Sequence, residues 1–367
     1  MACGPPRSLP SSTGGRRVPG YIPIVPVALL AVLLLAACGQ VQRQPAGPPV
    51  QEPTLTDERA VMADGYVLPM HRWTAEGDPE AVVLGVHGFG DYGDGFAALS
   101  EALAGPGLAN LYAYDQRGFG ATRRPGIWPG GDTLVADLRT VVDLLRQRYP
   151  ELPIYLVAES MGGAVALRAI TERPGLDVDG TVLLAPAVWG RDTMPWYQRL
   201  SLWFMLRIAP GATFSADTVV HLGFRPTDDP EVLQALREDP LVRRRARVDM
   251  LQGLTRLMGN ALQHPHRLDR SVLVLYGLND LVIPPGPVCA WLERLVAEAG
   301  AARPRFALYP DGYHMLTRYR GAEDTLTDIA AWVRDPDTPL PEAEELPLEE
   351  ARDRVCAQPP KGDWAGL

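Results

Sequence analysis

Basic charge is scarce in this 367-residue chain, with 35 lysines and arginines against 44 aspartates and glutamates and a formal net charge of −9. Lysine occurs once, at Lys361, a bias that fits a GC-rich genome and carries no mechanistic weight. The three arginines of residues 1–37 face no acidic residue, so without that segment the charge is −12. Contact with a nucleic-acid backbone needs clustered positive charge, and so acidic a chain argues against that partner. The one basic run, Arg243-Arg244-Arg245-Ala246-Arg247, reads as a solvated helix face, with attraction of an anionic head group as the other reading. Cysteine is also sparse, at four residues, and no Cys–His spacing points to a metal site. No internal repeat is present. What remains is ordinary for a globular enzyme: 46% hydrophobic and 22% charged residues, in a length that suits one large α/β core with an insertion.

The longest apolar run lies near the start. Residues 1–20 are polar and basic, Val27 to Ala37 is uninterruptedly apolar, and the run ends in Leu35-Ala36-Ala37-Cys38. A basic start, a short apolar core and small residues at the break make a secretory signal. The competing reading is an uncleaved anchor, but Tyr21 to Ala37 offers only 17 uncharged residues, with Pro23 and Pro26 among them; a full span needs about 20. Val18-Pro19 after Arg16-Arg17 breaks the twin-arginine pattern. The tetrapeptide resembles a bacterial lipobox, which implies that Cys38 is diacylated and becomes the first residue of the mature chain. The expected layout is a signal over 1–37, a flexible Gln-, Pro- and Gly-rich tether over 38–57, and attachment to the periplasmic face of a bacterial envelope membrane. Gly39, in place of an acidic residue, leaves the outer membrane open as the destination. Cys289 and Cys356 then sit in an oxidising compartment, where a disulfide between tail and core stays open.

The mature chain alternates short apolar strands with helices. Ala60–Trp73 turns about Asp64-Gly65 like a hairpin; Ala81–Val86, Leu111–Asp115, Pro153–Ala158, Thr181–Ala185, Ser271–Tyr276 and Arg305–Leu308 read as strands. Helical spacing covers Asp132–Tyr149, with Asp132-Thr133 able to cap it, then Met161–Arg173, Val288–Ala299 and Glu323–Arg334. Such alternation predicts a mostly parallel sheet covered on both faces. Residues 187–269 break the rhythm and read as a helical cap inserted in a core of 58–186 and 270–335. Residues 336–367 read as a Pro- and Glu-rich tail with a short helix near Leu348–Arg354.

Within Ile154–Gly163 an apolar strand runs into Glu159-Ser160-Met161-Gly162-Gly163 and then directly into a helix. Acyl transfer needs a hydroxyl exposed at a sharp strand-to-helix turn, with small residues two before and two after it. Ala158 and Gly162 stand there, the first in place of the more usual Gly. The start of the helix at Met161 also favours a developing oxyanion. A serine that only caps the helix would show the same local pattern. Its context points to catalysis: Asp280 and His314 each follow a strand, in the order serine, acid, histidine. His87 precedes the nucleophile and is the poorer base. Arg117, in Asp115-Gln116-Arg117-Gly118-Phe119-Gly120, reads as the pin of a tight turn.

These motifs, with His87-Gly88 and Gly277-x-x-Asp280, resemble the monoacylglycerol lipase and lysophospholipase branch of the α/β-hydrolase superfamily across about residues 58–335. The resemblance implies the α/β-hydrolase fold, a mostly parallel eight-stranded sheet with helices on both faces and an inserted helical cap. It also implies oxyanion donors at the N–H groups of Phe89 and Met161, and ester hydrolysis by Ser160, Asp280 and His314 with no cofactor and no metal. A lipid or small ester is the expected substrate, a monoacylglycerol or lysophospholipid first. A small-ester carboxylesterase, a thioesterase or a non-catalytic envelope lipid-binding protein are the alternatives.

Overall fold

The computed structural model of the chain describes residues 1, 40–215, 225–269, 271–298, 300 and 303–359. Cys38, with the rest of the signal beyond Met1, lies outside the described residues. The body is one twisted sheet of ten strands: β1 (Thr54–Leu55), β2 (Arg59–Val61), β3 (Val67–Trp73), β4 (Ala81–Val86), β5 (Ala109–Tyr114), β6 (Ile154–Glu159), β7 (Gly180–Leu184), β10 (Val272–Gly277), β11 (Arg305–Tyr309) and β12 (Glu344–Leu346). Their spatial order is β1-β2-β3-β5-β4-β6-β7-β10-β11-β12. The six from β5 to β11 run parallel, and the pairs at both edges are antiparallel.

Every residue of β4, β5, β6, β7 and β10 is buried, which is why these strands read as continuous apolar runs. Successive side chains still alternate between two cores. Val83, Leu111, Val157, Val182 and Leu275 face α1 (Ala97–Leu103) and α8 (Ala322–Arg334) through Leu99, Leu103, Ile329 and Trp332. Val82, Leu84, Leu156, Leu183 and Val274 face the opposite layer. That layer holds α2 (Gly131–Arg148), α3 (Met161–Thr171) and α7 (Pro285–Glu298). The expected Asp132-Thr133 cap is not used. The α2 helix starts at Gly131 after Gly130, without a side-chain cap, and the Thr133 hydroxyl accepts instead from the N–H of Ala46.

The expected tether and the expected tail are both built into the body, and they account for the two strands beyond eight. The described part of the expected tether, from Gln40, lies along the body. Gln44 is buried, its N–H donating to Trp128 O at 3.1 Å and its amide to Ile127 O at 2.5 Å; Val50 N donates to Ala63 O, and β1 pairs with β2. Polar composition misled here because the Gln44 amide satisfies backbone carbonyls of the body, not water. At the other end, β12 pairs with β11, and α9 (Leu348–Cys356) buries Leu348, Ala351 and Val355 against the core. Cys289 of α7 and Cys356 of α9 are joined by a disulfide.

Between β7 and β10 the chain forms α4 (Trp196–Ile208), α5 (Pro230–Glu238) and α6 (Val248–Ala261). A ribbon of β8 (Thr213–Ser215) and β9 (Arg245–Arg247) stands among them. The basic run is therefore a strand, not a helix face. Arg245 reaches Thr213 and Arg247 reaches Asp249, while Ala246 between them lines the cavity described below. Arg117 pins its loop as expected, forking between Asp137 and Asp64 with its guanidinium 4.0 Å from the centre of the Tyr66 ring.

Because the disulfide closes a loop of 67 residues and holds α9 on α7, Cys356→Ser lowers the unfolding free energy by about 2–4 kcal/mol. Urea denaturation of the oxidised protein measures this; an unchanged midpoint would show that the bridge is not formed in solution.

Candidate active site

Ser160 ends β6 and precedes α3 with φ 52° and ψ −114°, a left-handed backbone that an L-residue adopts only under constraint. Such a conformation costs on the order of 1–3 kcal/mol and persists where its surroundings hold it. Here the holding groups belong to the next strand and its loop: Ser160 N donates to Leu184 O, and Ala187 N donates to Ser160 O, both at 2.9 Å. The turn is also crowded. A methyl group on Gly162 would lie 2.0 Å from Val86 O, so α3 reaches the end of β4 only because that position has no side chain. Ala158, the departure from the usual glycine, is fully buried in β6 without disturbing the turn.

The acid and the imidazole come from adjacent parallel strands. Just past β10 and β11 their loops stay hydrogen-bonded, Asn279 N donating to Gly312 O at 2.8 Å and Leu278 N to Tyr309 O at 3.0 Å. A Cβ on Gly277 would lie 2.4 Å from the carbonyl carbon of Gly312, so this approach also depends on a missing side chain. The result is Asp280 Oδ2 at 2.8 Å from His314 Nδ1, both buried. The other Asp280 oxygen accepts from the N–H groups of Val282 and Ile283, which fixes the carboxylate plane. Burial alone would depress the basicity of His314, but the charge of Asp280 and its hydrogen bond outweigh it and raise the pKa above the ordinary 6.5. The Nδ1–H therefore points at Asp280, and Nε2 is the free basic nitrogen.

His87 has the opposite fate. It is fully buried, Nδ1 lies 2.8 Å from Gly88 O, and Nε2 accepts from Gln116 N at 2.9 Å. Desolvation holds its pKa below the usual value, so the ring is neutral and bridges the loops after β4 and β5. That bridge places the 87–90 loop beside Ser160: a Cβ on Gly88 would lie 3.3 Å from that of Ser160. Phe89 and Met161 both line the cavity with Ser160. Among the described residues neither of their N–H groups donates to a protein acceptor.

Sequence reasoning missed a charge network at this edge. Arg318 Nη2 reaches Asp91 Oδ2 at 2.5 Å and Glu159 Oε2 at 3.1 Å, all three side chains being nearly buried. Burial pushes the Glu159 carboxyl up, against the pull of Arg318. Glu159 was visible beside the serine, but no spacing links positions 91, 159 and 318; only the fold brings them together. Among the described residues, the one trio with metal-ligand spacing is Cys289, Glu293 and Cys356, and its two sulfurs are committed to the disulfide.

Ser160 and His314 open into one cavity of about 780 Å³ between the sheet edge and the segment 187–269. Its walls are overwhelmingly apolar, with Trp189, Leu202, Met205, Leu254, Met258 and Ile283 among them. A carboxylate-held imidazole facing the same space as a strained serine is equipped for acyl transfer. On a sheet of this order, that makes the chain a serine hydrolase of the α/β-hydrolase fold. It belongs to the family described as serine aminopeptidase, S33, whose model matches residues 77–319. The monoacylglycerol lipase of Mycolicibacterium smegmatis is 27% identical over 269 residues, covering 71% of this chain and 90% of the relative. A putative monoglyceride lipase of Schizosaccharomyces pombe is 28% identical over 321 residues, covering 83% and 81%. The crystal structure of Paleococcus ferrophilus monoacylglycerol lipase shares the fold, with a TM-score of 0.57 at 24% identity over 74% of this chain and 99% of that one.

Arg318→Met leaves two carboxyl groups buried without a counter-charge, and breaking such a buried pair typically costs about 3–5 kcal/mol. Chemical denaturation should show a loss of that size; a loss under 1 kcal/mol would mean that Asp91 and Glu159 are solvated in solution.

Proposed function

We propose that the chain hydrolyses long-chain carboxylic esters, monoacylglycerols or lysophospholipids, through an acyl-enzyme on Ser160. His314 Nε2 takes the hydroxyl proton as Ser160 Oγ attacks the ester carbonyl carbon. Asp280 holds the ring tautomer and stabilises the imidazolium that forms. The N–H groups of Phe89 and Met161 receive the oxyanion, and one such donor is worth about 3 kcal/mol of barrier. Protonated His314 gives its proton to the leaving alcohol, and water then repeats the sequence on the acyl group, restoring Ser160.

The observation that carries the substrate class is the apolar cavity opening on Ser160. Its size lies within the range that buries most of a drug-sized ligand, and the two relatives above are named for monoacylglycerol hydrolysis. An aminopeptidase would need a free carboxylate to hold a substrate ammonium group. The two acidic residues lining the cavity, Asp91 and Glu159, are both bound by Arg318. We also propose that the chain is a bacterial envelope lipoprotein attached through an acylated Cys38, on the strength of the Leu35–Cys38 pattern.

A fluorophosphonate probe should label the protein and fail to label Ser160→Ala; equal labelling of both would move the nucleophile elsewhere. Each methylene buried in the cavity contributes up to about 0.8 kcal/mol, or roughly fourfold in kcat/KM. Rates on p-nitrophenyl esters should therefore climb with chain length and exceed those on aminoacyl anilides. A flat profile would favour a small-ester carboxylesterase or a thioesterase, and faster anilide cleavage a peptidase. Only neutral His314 can accept the proton, so kcat/KM should fall as pH drops through a pKa above 6.5. Asp280→Asn removes the charge that raises this pKa. It should shift the midpoint downward and cut kcat by about 10⁴; an unmoved midpoint would show that another group titrates.

A further inference from the structure

The acylation point at Cys38 is two residues from Gln40, where the described chain begins, and that chain is fastened to the body from its first residues. Gln40 O accepts from Arg247 of β9 at 3.4 Å, Gln42 N donates to Asp249 Oδ2 at 3.0 Å, and Arg43 Nη1 donates to Asp249 O at 3.3 Å. Gln44 is then clamped on Ile127 and Trp128, and Gly47 N donates to Asp64 at 2.9 Å. Two residues of backbone span at most about 7 Å, so a lipid on Cys38 would be tethered within that reach of Gln40 and its contact with β9.

That strand belongs to the rim of the substrate cavity. Ala246 of β9, Phe214 of β8 and Met205 of α4 line the same space. The α4 helix is two-sided: Gln198, Leu202 and Met205 look into the cavity, while Trp196, Leu200, Trp203 and Phe204 turn away from it and are 47–69% exposed. The second set falls on one stripe at i, i+4, i+7 and i+8, and Phe214, 52% exposed, extends the apolar surface. Residues 193–215 contain Arg199 and Arg207 and no acidic residue, in a chain whose formal charge is −9. Arg207 lies over the Trp203 ring at 3.7 Å, and Arg244 and Arg245 are exposed nearby in sequence to the anchor contact. Exposed tryptophans with arginines and no acids are the composition of a surface that meets an anionic lipid interface.

We infer that residues 40–47 form a fixed mount that holds the acylated N-terminus at the rim of the cavity, so that the aromatic face of α4 and the cavity mouth are pressed against the membrane to which the chain is anchored. This rests on the lipoprotein reading proposed above. The enzyme is then oriented to draw ester lipids from its own leaflet, and the mount sets the effective concentration of that encounter.

The test uses the full-length acylated chain in vesicles of phosphatidylethanolamine and phosphatidylglycerol carrying brominated acyl chains. Tryptophan fluorescence should be quenched, and Trp196→Phe with Trp203→Phe should abolish most of that quenching. A flexible Gly-Ser insertion between Gly39 and Gln40 leaves the mount folded but frees the lipid from it. It should lower both the quenching and the hydrolysis of vesicle-borne lysophospholipid severalfold, with hydrolysis of a soluble short-chain ester unchanged. Asp249→Ala combined with Gln44→Ala should act in the same direction by releasing the mount. If the inserted protein matches the original in quenching and in vesicle activity, the mount is overturned. Mass spectrometry that finds residue 38 unacylated would instead sink the lipoprotein reading and this inference with it.

Discussion

The left-handed backbone of Ser160 is the constraint on which the site depends. A residue with a side chain does not rest at φ 52° unless its neighbours leave it no other course. The neighbours here are a parallel strand on one side and a helix on the other. Leu184 and Ala187 take both backbone groups of Ser160, and Gly162 lets α3 press onto the end of β4. The strain is carried by the sheet, whose central strands are buried on both faces. The strained position of Ser160 is therefore held only as firmly as β6 is paired with β7.

The electrostatics around that serine separate two histidines of the same chain. His314 keeps a buried carboxylate hydrogen-bonded to Nδ1 and is made more basic. His87 is hydrogen-bonded only to backbone groups, and burial outweighs the pull of Asp91 and Asp115, so it is made less so. Both rings are buried, so the difference lies in the partner and not in the exposure. Arg318 has a complementary part. By bonding both Asp91 and Glu159 it engages the two acidic residues on the wall of a mostly apolar cavity with one positive charge. What is left is a largely apolar space onto which Ser160 and His314 open together.

The inserted segment 187–269 serves that space from above. Because α4 is one helix thick, its inner stripe lines the cavity while its outer stripe stays exposed. A helix apolar on both sides has two different apolar surroundings to satisfy, and the cavity over Ser160 supplies one of them. The ribbon of β8 and β9 closes the rim and receives the N-terminal segment.

Much was legible in the chain itself. Buried parallel strands announce themselves as short apolar runs, so β4, β6, β7, β10 and β11 could be placed to within a residue or two. Ser160, Asp280 and His314 could be nominated because acyl transfer demands those residue types, in that order, each after a strand, and the fold sets Asp280 against His314 on the cavity that Ser160 lines. Periodicity and chemistry are local, and local patterns survive in one dimension. The tertiary structure decided the rest. Of the tail, the short helix near Leu348–Arg354 could be read from the chain. Residues 40–55 and 344–346 look like loose polar segments, yet become clamps and strands because open sheet edges and buried carbonyls need partners that composition does not reveal. The run of arginines became a strand because β8 offered a partner to pair with. Arg318 joined Asp91 and Glu159 across 227 and 159 positions, a meeting that only folding can arrange.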